Sequence, residues 1–377
     1  MKSEKILFFG KLPPPYTGEN VVSHSILKLL EADFDITILN TSGSIEKKEG
    51  LFKKINYFTN QILYVFRSFV RLNNVLKKEK KFKFLYFSGS SSLFGNLSDY
   101  ILVHICRKHV EKIICHLHRG NFKDNFTKFR FFNAGKYLSN NIDKFIFLSK
   151  SLSNDVRDHI PEAKREVLSN PIDKYILLTE AEFKNKLELL KSKNRFIITY
   201  LSNFILSKGY MEIVEALKLL PAEIKDKLLV RFIGEWIDSD IEKNTFFQSI
   251  HSKELSSSIE YIGPLKVREK IKNLLIESDI FCLPSYYALE AQPVSIIEAM
   301  NAGNAIISTV HASIPEYVDN YKFGLLIEKR NTAALAKAIE YLCDSETLST
   351  FSVNARKKFL ENFNELIIAK KLRTIFN

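Results

Sequence analysis

Cysteine is scarce in this chain. There are four in 377 residues, at positions 106, 115, 282 and 343, with no Cys-x-x-Cys pair and no metal-ligand spacing. A disulfide scaffold and a zinc module are thereby excluded. Three of the four lie inside apolar segments and read as buried free thiols of a reducing compartment. Long hydrophobic runs are also missing, since none approaches the roughly 20 residues of a membrane-spanning helix. The N-terminal "MKSEKILFFGKLPPP" has a short apolar run with no small-residue cleavage site behind it, so we expect no signal peptide and a cytoplasmic protein. No G-x-G-x-x-G follows the strand-like "KILFFG" or "RFIITYLSN", which weighs against an NAD-dependent oxidoreductase. No repeat with a period of 20 to 50 residues is present, which argues against a solenoid.

What is there is a globular composition, 46% hydrophobic and 26% charged, in a chain too long for one ordinary core. The net charge of +12 is unevenly spread. Residues 1–180 carry 29 basic against 18 acidic side chains, whereas residues 181–377 carry 26 against 25. The first half should therefore face something anionic. It opens with a strand "KILFFG", a loop "KLPPPYTGEN", a helix pattern "VVSHSILKLLEA" and a second strand "FDITILN", which make a βαβ unit. Further strands read at "FKFLYFS", "KIICHLH" and "KFIFLS". The second half repeats this grammar with "RFIITYLSN", "GYMEIVEALKLL", "LLVRFIGE", "IEYIGPL", "IFCLPS" and "NAIISTV". Strands alternating with helices predict parallel, doubly wound sheets, hence two Rossmann-like α/β domains in series. Asn170-Pro171 is a strong breaker near the junction. We place the domains at residues 1–175 and 176–360, with a helix at 361–377 that returns to the first domain.

One stretch poses a chemical question. In "YYALEAQPVSIIEAMNAGNAIISTV", Glu290 and Glu298 flank a proline eight positions apart. "IFCLPS" ends a strand, and open α/β sheets bind ligands beyond the carboxyl ends of their strands. Pro293 suits a first helical turn and Gly303 a C-terminal cap, giving a helix over about 293–302. The N–H groups of Val294, Ser295 and Ile296 would form an anion site aided by the helix dipole. Glu298 follows about one turn on, roughly 5.4 Å along the axis, where a carboxylate can accept from ribose hydroxyls. Glu290 would sit beyond the phosphates, where a sugar would be. The spacing alone equally allows two solvated glutamates.

"EAQPVSIIEA" resembles the E-x7-E motif of retaining glycosyltransferases of family 4, bacterial surface-polysaccharide type, which have the GT-B fold. "KGYMEIVEAL", "FIGE", "YIGPL", "IPEYV" and "FGLLIEKRN" follow the family's order, as do "PPPYTGE", "HLHRGN", "FIFLSKSL" and "VLSNPID" in the first half. The resemblance implies two Rossmann-like domains facing each other across a cleft. It makes Glu298 the ribose ligand and Glu290 the contact to the donor sugar, with Ala291, Gln292, Pro293, Val294 and Ser295 lining sugar and diphosphate. Lys208 would neutralise the diphosphate as a point charge. His118 would reach the donor sugar from the first domain, and Gly18 would let backbone approach the phosphate.

Three departures stand out. Ser202-Asn203 replace the usual Gly-Arg, so Asn203 can hydrogen-bond phosphate but brings no charge. Glu19 replaces a second glycine and should point away from a diphosphate or toward the acceptor. Ala291 replaces a glycine and restricts the backbone at the sugar pocket. His116 reads as a buried structural histidine on the opposite side of its strand from His118. Glu316 reads mainly as a first-turn carboxylate favoured by the helix dipole.

The segment 51–83 carries nine Lys or Arg and one Glu, with Leu51, Ile55, Phe58, Ile62, Phe66 and Phe69 at helical spacing. An amphipathic core helix and an anionic-membrane contact are both compatible with this pattern. The charge asymmetry favours peripheral association with the inner face of the cell membrane, and no nucleic-acid motif accompanies it. The resemblance thus implies transfer of a hexose or N-acetylhexosamine from a UDP- or GDP-sugar to a hydroxyl of a lipid-linked saccharide, with retention. No cofactor is expected, and no metal, since no Asp-x-Asp stands at a strand end. Asn203 and Glu19 keep open a second possibility, a catalytically weak sugar-nucleotide-binding partner of an active transferase.

Overall fold

A computed structural model describes residues 4–42, 51–79, 81–127, 133–252 and 254–377; within 51–62 only the backbone is described. The chain forms two compact units. One comprises Met1–Pro171 with Ile368–Asn377, and the other Ile172–Ile367. Each is built on a six-stranded, all-parallel sheet covered by helices.

The first sheet contains β1 (Lys5–Gly10), β2 (Asp35–Asn40), β3 (Phe82–Gly89), β4 (Val110–Leu117), β5 (Lys144–Phe147) and β6 (Arg165–Val167), in the order β2-β1-β3-β4-β5-β6. Ile6, Leu7, Phe8, Phe84, Leu85 and Tyr86 are fully buried in its centre. Strands covered on both faces read as near-continuous apolar runs for this reason. The C-terminal helix Glu365–Phe376 brings Phe376 to within 5.0 Å of Phe84 and 5.6 Å of Phe34, centroid to centroid.

The second sheet contains β7 (Phe196–Leu201), β8 (Leu228–Ile233), β9 (Ile259–Gly263), β10 (Ile280–Leu283), β11 (Ala305–Thr309) and β12 (Gly324–Ile327), in the order β12-β11-β10-β7-β8-β9. The chain runs outward from β7 through β8 to β9, then returns to β10 on the other side of β7 and runs outward again. The connections that leave β7 and β10 therefore run to opposite sides, and in open α/β sheets the carboxyl ends of two such strands are where a ligand crevice forms. The first sheet has its corresponding reversal between β1 and β3.

The sequence pattern predicts ten of these strands and none at Arg165–Val167 or Gly324–Ile327. Both are edge strands, of three and four residues.

Candidate functional site

The crevice between β7 and β10 collects most of the predicted donor residues, and two glycines let it form. Beyond β7 the chain passes Ser202 and Asn203 and makes a short turn, Leu206–Lys208, which Gly209 ends in the left-handed region (φ 85°). A Cβ at Gly209 would lie 2.5 Å from the Pro284 carbonyl oxygen, so only glycine lets this turn settle on the segment after β10. The Tyr286 N–H then donates to the Ser207 carbonyl at 2.7 Å. At the end of β8, a Cβ on Gly234 would fall 1.8 Å from the Ser202 oxygen. That close approach explains the glycine of "FIGE".

Docking the two loops brings Lys208 to Glu290. The Lys208 Nζ donates to Glu290 Oε2 at 2.6 Å, and the Ser285 hydroxyl donates to the same oxygen at 2.8 Å. The Lys208 ammonium also lies 4.8 Å from the Tyr287 ring centroid, a cation–π contact. Residues 82 positions apart thus form one charged unit, with Glu290 only 7% exposed. The His311 ring Nε2 lies 2.8 Å from the Tyr287 carbonyl, and the Ser313 hydroxyl donates to the Ala291 carbonyl, which fixes the loop from the far side.

The helix after this loop runs Val294–Asn301, with Pro293 at its N-cap. Gly303 follows in the left-handed region (φ 68°), as a helix stop requires. The Ile296 N–H donates to the Pro293 carbonyl at 3.2 Å, which narrows the expected anion site to Val294 and Ser295, both half-buried. Ile296, Ile297 and Met300 are fully buried, and Glu298 is 3% exposed. The possibility of two solvated glutamates is therefore excluded.

Burial alone would make a charged Glu298 costly. Arg268, at the start of the helix Arg268–Glu277, answers this by donating its Nη2 to Glu298 Oε1. Asp173 Oδ2 stands 3.5 Å from the Arg268 Nε. Burial pushes the Glu298 carboxyl above its usual range, Arg268 counteracts this, and Asp173 adds a smaller upward push. Arg268 was missed by the sequence reading. Its partner lies thirty residues away, and "LKVREKI" reads as an ordinary amphipathic helix start.

The departures resolve individually. The described non-glycine residues with positive φ are Asn133, Ala312, Tyr321 and Arg330, so Ala291 sits buried without backbone strain. The expected restriction at this position is thus no obstacle to the fold. Asn203 is exposed and its carbonyl accepts from the Tyr200 hydroxyl at 2.9 Å. Gln292 and Pro293 are buried. Glu316 is exposed in the first turn of the helix Ile314–Tyr317.

In the first unit, Gly18 opens the helix Gly18–Glu31, with Thr17 as N-cap accepting from the Asn20 N–H at 3.3 Å. A Cβ at Gly18 would meet nothing within 4 Å. His118 lies just past β4, with its Nε2 buried and lacking a hydrogen-bond partner. Burial lowers its pKa, which favours a neutral imidazole, while nearby Glu19 pulls the other way. The carboxylate of Glu19 is thus felt by His118. His116 is fully buried, and its Nδ1 lies 2.6 Å from the Tyr86 hydroxyl. The two histidines do not point to opposite sides: their ring centroids are 4.1 Å apart. Residues two apart on a strand share a face, and this corrects the expectation.

Asp99 is a further polar group in this unit that the sequence did not single out. It is buried and accepts from the Ser90 N–H at 2.6 Å, and burial raises its pKa to about 8. Among the described residues no group of three or more His, Cys, Asp or Glu is arranged to hold a metal ion. Among them, too, no helix is long and apolar enough to cross a membrane.

Residues 181–362, nearly the whole second unit, match the family model described as "Glycosyl transferases group 1". The chain is 33% identical over 132 residues to the amylovoran biosynthesis glycosyltransferase AmsK of Erwinia amylovora, a match covering 34% of this chain and 32% of the relative. It is 25% identical over 224 residues to an Escherichia coli UDP-Gal:alpha-D-GlcNAc-diphosphoundecaprenol alpha-1,3-galactosyltransferase, covering 58% and 55%. The chain thus spans about a third to just over half the length of these curated relatives. The crystal structure of Anabaena HepE in complex with UDP and glucose superposes with a TM-score of 0.72 at 16% identity, over 98% of both chains. The fold is GT-B.

Proposed function

We propose that the protein is a retaining glycosyltransferase of bacterial surface-polysaccharide biosynthesis. It transfers a hexose or N-acetylhexosamine from a UDP- or GDP-sugar to a hydroxyl of a lipid-linked saccharide. The observation that carries this reading is the Lys208–Glu290–Ser285 unit at the β7/β10 reversal, beside the N-terminus of the Glu298 helix. The loop after β7 offers the positive charge of Lys208 to a diphosphate. The segment after β10 offers the backbone N–H groups of Val294 and Ser295 to the diphosphate and the buried, ionically held carboxylate of Glu290 to a sugar hydroxyl.

In this reading Lys208 exchanges part of its bond to Glu290 for the diphosphate and offsets the charge that grows on the leaving group. Glu290, still held by the Ser285 hydroxyl, accepts from a donor-sugar hydroxyl. Glu298 accepts from the ribose. His118, neutral and with an unpartnered Nε2, contributes from the first unit as a hydrogen-bonding group for the sugar. No residue of the crevice is assigned as a covalent nucleophile, so the acceptor attacks the face from which the diphosphate departs. The charge work assigned to Lys208 and the helix N-terminus needs no metal ion. The E. coli relative, named for a UDP-Gal donor and a diphosphoundecaprenol acceptor, supports the donor and acceptor classes.

The acceptor class also fits the surface of the first unit. In the helix Leu51–Lys78, Ser68, Leu72 and Leu76 are buried, and Phe69 lies 6.2 Å from Phe9, centroid to centroid. Leu63, Phe66 and Val70 are exposed at helical spacing, with Phe66 64% exposed, beside exposed Arg67 and Arg71. The side chains of Leu51, Ile55, Phe58 and Ile62 lie outside the described residues. The crossovers β2–β3 and β3–β4 run the same way across the sheet, so their helices cover the same face. The second of these, Leu93–Cys106, exposes Leu93, Phe94, Leu97 and Ile101. An apolar strip on a basic domain suits an anionic bilayer surface.

The test is a donor screen with UDP-, GDP-, ADP- and dTDP-sugars, reading nucleotide release with a polyprenyl-diphosphate-linked saccharide as acceptor. We expect release with a UDP- or GDP-sugar, undiminished by a chelator, and a product whose anomeric configuration matches the donor's. A product of opposite configuration, or activity lost to chelator and restored by a divalent ion, would overturn the mechanism.

A further inference from the structure

We propose that Arg268 is a positioning residue for nucleotide binding, holding Glu298 as an anion so that it can accept from the ribose hydroxyls. This rests on the assignment of Glu298 to the ribose made above. The geometry is specific. Arg268 donates through Nη2 to Oε1 of Glu298 only, so Oε2 remains available on the same carboxylate. The guanidinium is steered from its other edge by Asp173, 3.5 Å from Nε, and Asp173 is itself fixed by accepting from the Tyr175 N–H at 3.0 Å. Asp173 also caps the turn Lys174–Ile176, which follows the junction between the two units.

The physical need for Arg268 follows from where Glu298 sits. A hydroxyl-binding carboxylate accepts most strongly when ionised, because protonation turns one of its acceptor sites into a donor and removes the charge that assists the bonds. Glu298 is on a helix whose other buried residues are apolar except for Asn301, and its burial favours the protonated form. Its neighbours of fixed charge are Arg268, which favours ionisation, and Asp173, which opposes it. The other nearby base of the crevice, Lys208, is engaged by Glu290. Without Arg268 the carboxyl would take up a proton at a higher pH than it does now, and ribose recognition would become pH-dependent.

The measurement is UDP affinity by calorimetry for the full chain and for Arg268→Met, which keeps an unbranched apolar stem, across about pH 6 to 9. Loss of a charge-assisted contact predicts a variant about tenfold weaker than wild type at the acid end. The ratio should then narrow as pH rises and Glu298 ionises unaided. Arg268→Lys should restore part of the affinity at the acid end. Glu298→Gln, locked neutral, should be weak at every pH, and the double variant Arg268→Met/Glu298→Gln should be no weaker than Glu298→Gln alone. The double variant also removes both members of the buried pair, so it tests the idea even if Arg268→Met alone folds poorly. Arg268→Met binding UDP as wild type does, or a loss of the same size at every pH, would overturn the role of Arg268. Wild type that binds no nucleotide would instead overturn the ribose assignment, a distinct outcome.

Discussion

At the scale of single residues, this protein buries charged groups at the candidate site and sets partners against them. Lys208 and Glu290 hold one another, and Ser285 holds Glu290. Replacing Glu290 by glutamine keeps the shape and removes the charge. Turnover should fall while UDP affinity stays within a few-fold of wild type, as steady-state kinetics and calorimetry would show. Lys208→Ala should weaken both, by about tenfold to a hundredfold, the worth of a charged hydrogen bond. In the first unit, burial raises the folded-state pKa of Asp99 to about 8 against an ordinary 3.8, with the Ser90 N–H lowering it, Glu19 adding a smaller upward push and Lys11 a smaller downward one. Folding thus raises its proton affinity. Its contribution to stability is fullest below pH 3.8, declines as pH climbs to about 8, and is flat above. Asp99→Asn can still accept from the Ser90 N–H and should remove that decline, raising the melting temperature at pH 8 by a few degrees while changing little at pH 4. Thermal denaturation of both proteins across this range is the check, with equal pH slopes as the contrary result.

At the scale of elements, β7 and β10 are parallel neighbours at the point where the strand order reverses, and Gly209 lets the loops beyond their carboxyl ends touch. Gly209→Ala should cost about 1–3 kcal/mol through strain at φ 85° and a clash with the Pro284 carbonyl. It should also loosen the Lys208–Glu290 pair, so donor affinity should fall together with the melting temperature. This scale also marks what could be read in the sequence. The strands β7 and β10 and the helix between Pro293 and Gly303 were legible, because apolar runs, a breaker and a cap announce them. The burial of Glu298 was not, because spacing places a residue on a helix face without saying what covers it. Arg268 and Ser285 were invisible for the same reason: each acts through a contact that only the sheet order creates. The relation of His116 to His118, by contrast, was available from the two-residue period of a strand and was misread.

At the scale of the whole molecule, basic charge gathers in the first half while the group 1 glycosyl transferase match covers the second. This division suits a protein whose first unit meets an anionic, lipid-linked acceptor and whose second unit holds the donor. Reversing Arg67 and Arg71 to glutamate and Phe66 to serine should lower partitioning to phosphatidylglycerol-rich vesicles at least about tenfold, at about 1 kcal/mol per basic residue. Release of nucleotide from the donor in the presence of a water-soluble acceptor analogue should persist. Unchanged sedimentation with vesicles would show that this helix is not the contact.

The central claim is that the β7/β10 crevice is a nucleotide-sugar site organised by Lys208 and Glu298. Titrating UDP into the wild-type chain, Lys208→Ala and Glu298→Gln tests it most directly. Wild type should bind UDP saturably and one to one, and both variants should show a clear loss of affinity. Binding that neither substitution changes, or no nucleotide binding by the wild-type chain, would contradict it.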